Sequence, residues 1–283
     1  MTPFRPALRY HGGKWRLSPW IISHFPYHEI YVEPFGGAAS VLLRKPRSTS
    51  EIWNDLSDDL FTMFCVLREP QLRESLLEAL ALTPYSRRDF DLSYDPAPDG
   101  DSVERTRRYI VRSFFGYGSK SCADHSRNGF RSFRGGGDKT PAHDWTTYPN
   151  ALAVIAERMA GVVIEHKPAV DVIRRYDRPE ALIYCDPPYV HGTRNLNHGT
   201  YLHEMSQEDH VALADALHQC AGQVAISGYD CPLYQELYGS WRMVSRRAYA
   251  DMASARTECL WLSPNFRIPE SAGRISTKKG GAL

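Results

Sequence analysis

Hydrophobic and polar residues follow two kinds of pattern along this chain. Short apolar runs that end in an acid or a turn predict buried strands, and longer stretches with apolar residues every three or four positions predict amphipathic helices. Strands are predicted at 31–33, 50–53, 162–165, 181–185, 224–227 and 258–262. Helices are predicted at 38–44, 58–82, 151–159 and 169–176, and after Ser206, where Asp209 completes the pattern of a capping box.

The order of these elements predicts the architecture. From residue 150 onward helices and strands alternate, which is typical of an α/β fold with a largely parallel sheet and helices on both faces. The mainly helical segment 58–147 interrupts the alternation. We therefore predict a discontinuous α/β domain of residues 1–57 and 148–270, an inserted helical domain of residues 58–147, and a flexible tail of residues 271–283.

Composition narrows the class of protein. The 283 residues carry a net charge of +1 at pH 7, and no apolar run approaches the roughly 18 residues of a membrane helix. The first residues lack the apolar region of a signal peptide. The 6 cysteines include no CxxC pair, which argues against a zinc site or a disulfide framework. We expect a soluble, cytoplasmic protein without a metal or a membrane partner.

Positive charge is concentrated in one segment. Residues 105–139 contain nine basic and two acidic residues, a local net charge of +7. Aromatic residues are interleaved with this charge: Tyr109, Phe114, Phe115, Tyr117, Phe130 and Phe133. The pattern suits contacts with nucleic-acid phosphates and bases. It suits equally a solvated, arginine-rich helix face with a small core of its own.

The stretch EALIYCDPPYV, residues 180–190, indicates a site. Its apolar residues predict a strand, and the prolines that follow end the sheet ladder because they donate no backbone hydrogen bond. Ligands of open α/β sheets bind at the carboxyl ends of strands. A carboxylate, Asp186, and a ring, Tyr189, therefore stand on a stiff loop where a ligand is expected.

A second candidate site follows the first predicted strand. YVEPFGGAAS, residues 31–40, places an acid at a strand end, then two glycines that let a ligand approach the backbone. Asp55 follows about 20 residues later, the spacing of a ribose-binding acid. Because Gly36-Gly37 is not G-x-G-x-x-G, NAD is a poor candidate for the ligand.

Six segments in order carry a family resemblance: RYHGGKWRLSPWI, YVEPFGGAAS, WNDLSDDL, GVVIEHKPAVDVI, YCDPPY and TECLWLSP. Together they span about residues 7–265 and resemble the N6-adenine DNA methyltransferases of the DNA adenine methylase (Dam) family. The resemblance implies a Rossmann-like methyltransferase sheet with an inserted target-recognition domain. It also implies methyl transfer from S-adenosyl-L-methionine to the N6 amino group of a flipped adenine in double-stranded DNA.

The resemblance assigns roles to individual residues. In the catalytic set, the Asp186 carboxylate and the Pro187 carbonyl accept the amine hydrogens, Pro188 helps to hold the loop rigid, and Tyr189 stacks on the base. The residues expected to bind the cofactor are Tyr10, Lys14, Glu33, Pro34, Phe35, Gly36, Gly37, Asp55, Val163, Ile164 and Asp186.

The basic segment departs from the family pattern. Residues 112–137 do not match the Arg-Tyr-Asn stretch of relatives that read GATC, so that specificity is not implied. We expect DNA contacts from Arg112, Lys120, Arg127, Asn128, Arg131 and Arg134.

Other functions compete with this interpretation. One class is amino methylation of cytosine, RNA or a glutamine side chain, and another is a catalytically silent DNA-binding module. An intact D-P-P-Y with Lys14 and Asp55 favours the enzyme, and the basic segment favours DNA. The resemblance also leaves room for a separately encoded restriction endonuclease as a partner.

Overall fold

The computed structural model describes residues 2–118, 127–133, 140–190, 203–249 and 255–267. The strands of these residues are β1 (Ile30–Glu33), β2 (Ser50–Asn54), β3 (Val163–Glu165), β4 (Ala181–Cys185), β5 (Gln223–Gly228), β6 (Arg242–Tyr249) and β7 (Ala255–Leu262). They form a seven-stranded sheet with the order β3-β2-β1-β4-β5-β7-β6. The strands β3, β2, β1, β4 and β5 are parallel, and β7 is antiparallel to both of its neighbours.

Helices surround the sheet. In the described residues they are α1 (Ser18–Ser23), α2 (Asp58–Arg68), α3 (Pro70–Leu82), α4 (Arg87–Leu92), α5 (Ser102–Phe115), α6 (Pro141–Thr146), α7 (Tyr148–Met159), α8 (Ala169–Tyr176), α9 (Gln207–His218) and α10 (Pro232–Tyr238). The predicted capping box is confirmed, because the Ser206 side chain accepts from the Asp209 N–H and the Asp209 carboxylate accepts from the Ser206 N–H.

Alternate residues of the strands place their side chains in two hydrophobic cores, one on each face of the sheet. Tyr31 of β1 and Leu182 of β4 belong to the core that α2, α3, α5 and α7 cover. Val32 and Ile183, the next residues of the same strands, belong to the core that α8, α9 and α10 cover. Burial on both faces explains why these strands read as continuous apolar runs. The predicted α/β fold with a largely parallel sheet is confirmed.

The parallel register places the carboxyl ends of four strands side by side. Glu33 of β1 lies opposite Trp53 of β2, and Cys185 of β4 lies opposite Ile226 of β5. The loops that follow these strands therefore leave the sheet at one edge. Asp186 begins one of these loops.

The helix predicted at 38–44 is a run of turns instead. Ala39 has a φ of 55°, in the left-handed region that interrupts a right-handed helix. The Leu42 N–H donates to Oε2 of Glu33 at 3.1 Å. A buried carboxylate therefore takes a backbone donor that a regular helix would use internally.

Other elements differ from prediction for local reasons. The long helix predicted at 58–82 is two helices, because Pro70 cannot continue α2 and instead opens α3. The edge strand β6 was not predicted, since its sequence RMVSRRAY has no run of more than two apolar residues and contains three arginines. The division into two domains stays a prediction, and the predicted tail lies outside the described residues.

No helix in the described ranges is both long and apolar enough to cross a membrane.

A buried ionic group joins β2 to α7 beneath the sheet. The Glu51 carboxylate contacts Nζ of Lys45 at 2.8 Å and Nη1 of Arg158 at 2.6 Å, and all three side chains are buried. Burial alone would raise the pKa of the Glu51 carboxyl, but hydrogen bonds from Arg158 and Lys45 lower this pKa below its ordinary value. The carboxylate is therefore held ionised between two cations.

Replacing Glu51 with Gln should lower the free energy of unfolding by about 3 kcal/mol, because two buried cations lose their counter-ion. Denaturant titration at pH 7 measures the change. Since the pKa of Glu51 is lower in the folded state, its contribution is present above the ordinary pKa of Glu and is lost as the pH falls through the folded-state value. The difference between wild type and Glu51→Gln should therefore shrink in acid.

The matched control is Glu78→Gln on the exposed side of α3. This substitution should change the free energy of unfolding by less than about 0.5 kcal/mol. An equal loss in both variants would contradict the role given to the buried group.

Candidate active site

A cavity of about 330 Å³ opens at the carboxyl ends of β1, β2 and β4. Its volume falls within the range of about 300–1,000 Å³ common for small-molecule sites. Most of the residues predicted to bind a cofactor line it: Tyr10, Lys14, Glu33, Pro34, Phe35, Gly36, Gly37, Asp55 and Asp186. The structure thus brings together residues from four separate segments of the chain.

Two residues with a predicted cofactor role are not among those that line the cavity. Val163 and Ile164 lie in β3, where Val163 is exposed and Ile164 packs against a core. The lining residues from this part of the chain are instead Pro168, Ala169 and Val170.

The turn after β1 is shaped by close packing against an indole. The Gly36 N–H donates to the Asn54 carbonyl at 2.7 Å, which ties the turn to the end of β2. A Cβ on Gly36 would lie 2.1 Å from Nε1 of Trp53, so only glycine fits. Gly37 has a φ of +47°, which glycine adopts without strain. The two glycines therefore serve the turn itself as well as the cavity wall.

Glu33 supplies a buried carboxyl group to the cavity wall. Burial raises its pKa to about 8, and the nearby Asp186 acts in the same direction. The Leu42 N–H donates to Oε2 of Glu33 at 3.1 Å and the Tyr31 hydroxyl donates at 3.3 Å, and both oppose the shift. Glu33 is consequently poised to change its charge near neutral pH.

Asp55 presents a fixed carboxylate after β2. Its Oδ2 accepts from the Gly37 N–H at 2.8 Å and its Oδ1 accepts from the Ser57 N–H at 2.9 Å. Burial raises the pKa of this carboxyl, and the two backbone donors oppose that shift. His166 hydrogen-bonds the Asp55 carbonyl through Nδ1 at 2.8 Å. These bonds leave Asp55 little freedom to turn away from the cavity.

Asp186 stands where β4 ends and the proline loop begins. Its Oδ1 accepts from the Ser227 hydroxyl at 2.8 Å and lies 2.9 Å from Nζ of Lys14. Ser227 belongs to β5, so the neighbouring parallel strand orients the carboxylate. Pro188 lines the cavity beside it, whereas Pro187 is buried.

Tyr189 is buried behind Asp186, with a relative exposure of 8%. Its hydroxyl donates to Glu258, and Nζ of Lys14 lies 4.7 Å from its ring centroid. The ring of Tyr229 meets it edge-on at 4.6 Å. A stacking surface for a base was predicted here, and in this structure the ring contacts Lys14 and Tyr229.

Sequence reasoning missed several site residues. Glu258 lies in β7 with 4% exposure, and its Oε1 is 3.6 Å from Nζ of Lys14. An acid within the apolar stretch TECLWLSP was the available signal. His203, Glu204 and Met205 also line the cavity, from a segment without a recognisable motif.

The arginines of the basic segment are mostly paired within the protein. On α5, Arg105 and Arg112 contact Asp59, at 2.8 and 3.2 Å, and Arg107 and Arg108 both contact Glu104 at 2.6 Å. Much of the local charge predicted from the sequence is therefore compensated by acids from outside residues 105–139.

The remaining residues with a predicted DNA contact follow α5. Arg127 contacts Asp91 at 2.5 Å, and both side chains are well exposed. The Asn128 N–H donates to the Tyr94 hydroxyl at 3.3 Å, and Arg131 is half-buried. Lys120 and Arg134 lie outside the described residues.

The aromatic residues of the basic segment divide into two groups. Tyr109, Phe114 and Phe115 are buried in the core that α2, α3, α5 and α7 cover, and Phe130 packs against it, which is a structural role. Tyr117 and Phe133 are 57% and 70% exposed. An antiparallel bridge between Gly116 and Phe130 joins the two arms of this segment.

In the part of the chain that the structure describes, no group of three or more His, Cys, Asp or Glu residues could hold a metal ion.

The chain is also similar to known proteins. The chain is 28% identical over 252 residues to a DNA adenine methylase of Escherichia coli, covering 84% of this chain and 85% of the relative. It is 26% identical over 247 residues to a DNA adenine methylase of Vibrio cholerae, covering 84% and 86%. A family model described as D12 class N6 adenine-specific DNA methyltransferase matches residues 10–252. The chain therefore belongs to the D12 class of N6 adenine-specific DNA methyltransferases.

Proposed function

We propose that this adenine-specific DNA methyltransferase uses S-adenosyl-L-methionine as its methyl donor and receives an adenine that has been rotated out of the duplex. One observation carries the proposal: Asp55 and Asp186 line the same cavity. Asp55 can then bind the ribose of the methyl donor while Asp186 binds the amine of the adenine that accepts the methyl group, both within one cavity.

The lining of the cavity suits this donor. When bound, S-adenosyl-L-methionine supplies a methyl group on a positively charged sulfonium, together with a ribose and an adenine. Asp55 offers a fixed carboxylate to the ribose hydroxyls, and Glu33 offers a second acid in the same wall. Phe35 and Val170 add apolar surface. The mixture of apolar walls and a few fixed polar groups is typical of a cofactor site.

Asp186 and the carbonyl of Pro187 act on the acceptor nitrogen. The N6 lone pair is delocalised into the adenine ring, so attack requires that the nitrogen gain sp³ character. Acceptors for both amine hydrogens favour this geometry and stabilise the positive charge that develops on nitrogen. Asp186 and the Pro187 carbonyl would hold the two amine hydrogens while the nitrogen forms its new bond, and the nitrogen would then release one proton to water.

Burial of the acceptor site supports base rotation. Asp186 lies in a cavity wall at the edge of a sheet, and an amino group stacked inside a duplex could not reach it. Enzymes that modify bases solve this problem by extruding the target nucleotide. The inserted segment 58–147 and its arginines are proposed to hold the duplex. A separately encoded restriction endonuclease remains a prediction from the family resemblance.

Expression of the protein in a host that lacks adenine methylation tests the proposal. Modification-sensitive sequencing of the host DNA should show N6-methyladenine in one sequence context, and purified protein should bind S-adenosyl-L-methionine in calorimetry. Methylated cytosine, or adenine methylation without binding of this donor, would contradict the proposal.

Asp186→Ala should reduce kcat by about 10²-fold or more, because the carboxylate acts on charge that appears in the transition state. Affinity for duplex DNA should change much less. The matched control is Asp230→Ala, an exposed acid after β5. Single-turnover methyl transfer measures the effect, and near-wild-type turnover of Asp186→Ala would remove Asp186 from the catalytic set.

Binding of the cationic donor should release protons near neutral pH. A positive charge in the cavity lowers the pKa of Glu33, which burial has raised to about 8. Affinity should then rise with pH up to about 8, by up to about tenfold per pH unit. Calorimetry in buffers of different ionisation enthalpy measures the proton release. Glu33→Gln should abolish it, and undiminished release in that variant would assign the proton to another group.

Replacing Arg127, Arg131 and Arg134 with Gln in one triple variant should weaken duplex binding and make the affinity depend less steeply on salt concentration. Each lost phosphate contact reduces the log–log slope by roughly 0.9. Losing the exposed Arg127–Asp91 pair should change the stability of the protein little, because such pairs contribute about 0–1 kcal/mol. Any of the three that reads a base edge should also relax sequence preference.

The control is a triple Gln variant of Arg174, Arg175 and Arg178, which removes the same charge near α8. Its DNA affinity should fall only slightly, through the general loss of positive charge. Equal loss in both triple variants would show that the basic segment has no special part in DNA binding.

A further inference from the structure

The Lys14 ammonium lies between two carboxylates at the acceptor site. Its Nζ is 2.9 Å from Oδ1 of Asp186 and 3.6 Å from Oε1 of Glu258. The same nitrogen is 4.7 Å from the ring centroid of Tyr189. Lys14 is itself buried, with a side-chain exposure of 7%. The cation is thus enclosed by the group that receives the target amine and by an acid with no role in the chemistry described so far.

This arrangement raises a problem for substrate binding. The amine of the target adenine must donate to Asp186, whose Oδ1 already accepts from the Ser227 hydroxyl and lies 2.9 Å from the ammonium, so the lysine charge weakens this carboxylate as an acceptor. If the ammonium moves away from Asp186 as the amine binds, the neutral amine cannot balance its charge. A buried lysine left without a counter-ion would be strongly destabilising. The ammonium therefore requires a second carboxylate within reach.

We infer that Glu258 is a positioning residue that takes up the Lys14 ammonium when the target amine binds to Asp186. The inference rests on the proposed role of Asp186. Lys14 would move from its closer contact with Asp186 toward Glu258, which lies 3.6 Å from Nζ, a small movement that the flexible lysine stem allows. Asp186 is then free to accept from the substrate.

Glu258 is well placed for this part. Its backbone belongs to β7, which pairs with β5, and the Tyr189 hydroxyl donates to its carboxylate. The carboxylate is nearly fully buried and cannot follow the lysine away from the site. Burial raises the pKa of Glu258, and the Lys14 ammonium opposes that shift. Each ionised group therefore favours the charge of the other.

The same movement couples the amine site to the aromatic ring. In this structure the ammonium occupies the face of Tyr189. A shift of Lys14 toward Glu258 would lengthen its contact with Asp186 and change its position over the ring in one step. Glu258 would thereby determine whether the acceptor site holds the lysine or the base.

A double-mutant cycle between Lys14 and Glu258 tests the inference. In the wild-type background, Glu258→Gln keeps the side-chain volume and removes the charge, and kcat should fall about tenfold or more. In the Lys14→Met background no ammonium needs a second carboxylate, so the same substitution should change kcat by less than about threefold. Glu258→Asp keeps a carboxylate and should retain more activity than Glu258→Gln.

A second measurement separates this role from a structural one. Two duplexes differ only at the target base, one with adenine and the other with purine, which has no amino group to compete with Lys14. Wild type should prefer the adenine duplex in the presence of a non-reactive donor analogue. Glu258→Gln should lose most of that preference, with its affinity for the donor analogue unchanged. A merely structural residue would weaken both duplexes equally.

The two experiments distinguish failure of this inference from failure of the proposed function. Equal effects of Glu258→Gln in both Lys14 backgrounds, or an unchanged preference for the amino group, would overturn the inference. If Glu258→Gln fails to fold, the cycle is run with Glu258→Asp, whose carboxylate stands one methylene farther from Lys14. Failure of the proposed function would be seen earlier, because wild type itself would then transfer no methyl group from S-adenosyl-L-methionine to the duplex, which would overturn both.

Discussion

The parallel pairing of β2, β1, β4 and β5 is the constraint on which the site depends. Residues far apart in the chain become neighbours only because their strands end at one edge in matched register. Asn54 reinforces this edge: its side chain donates to the Pro34 carbonyl at 2.8 Å and accepts from the Lys167 N–H at 2.9 Å. Three loops are thereby held in a fixed relation before any ligand arrives. Such preorganisation is what catalysis by positioned acceptors requires.

Local sequence predicts an element correctly where burial alone determines its structure. The strand at 181–185 was predicted residue for residue, because five buried residues end at a proline-stiffened turn. Of the eleven residues expected to bind the cofactor, nine line the cavity, and seven of these nine belong to motifs at strand ends. The helix expected at 38–44 failed because Leu42 hydrogen-bonds a distant acid, an interaction that periodicity does not encode. The edge strand β6 escaped because an edge needs no apolar run.

Charge was the hardest property to infer from the chain. The basic segment looked uncompensated because its partners lie elsewhere: Asp59 on α2 pairs with Arg105 and Arg112, and Asp91 on α4 pairs with Arg127. Glu258 escaped notice for the same reason, since its contacts with Lys14 and Tyr189 join segments at opposite ends of the chain. A local count of charges reports composition, whereas function depends on which charges the fold brings into contact.

The chain leaves the sheet after Asn54 and returns at Val163, and these two positions lie in adjacent, hydrogen-bonded strands. Everything between them is a single excursion whose ends are fixed together. The entropy of closing such a loop grows only with the logarithm of its length, so each doubling costs about 0.6 kcal/mol. Insertions and deletions in the loops of the excursion, outside the helices that cover the sheet, therefore disturb the edge that carries the site little. A sheet built in this way can keep its chemistry constant while the segment proposed to hold the duplex is lengthened, shortened or exchanged.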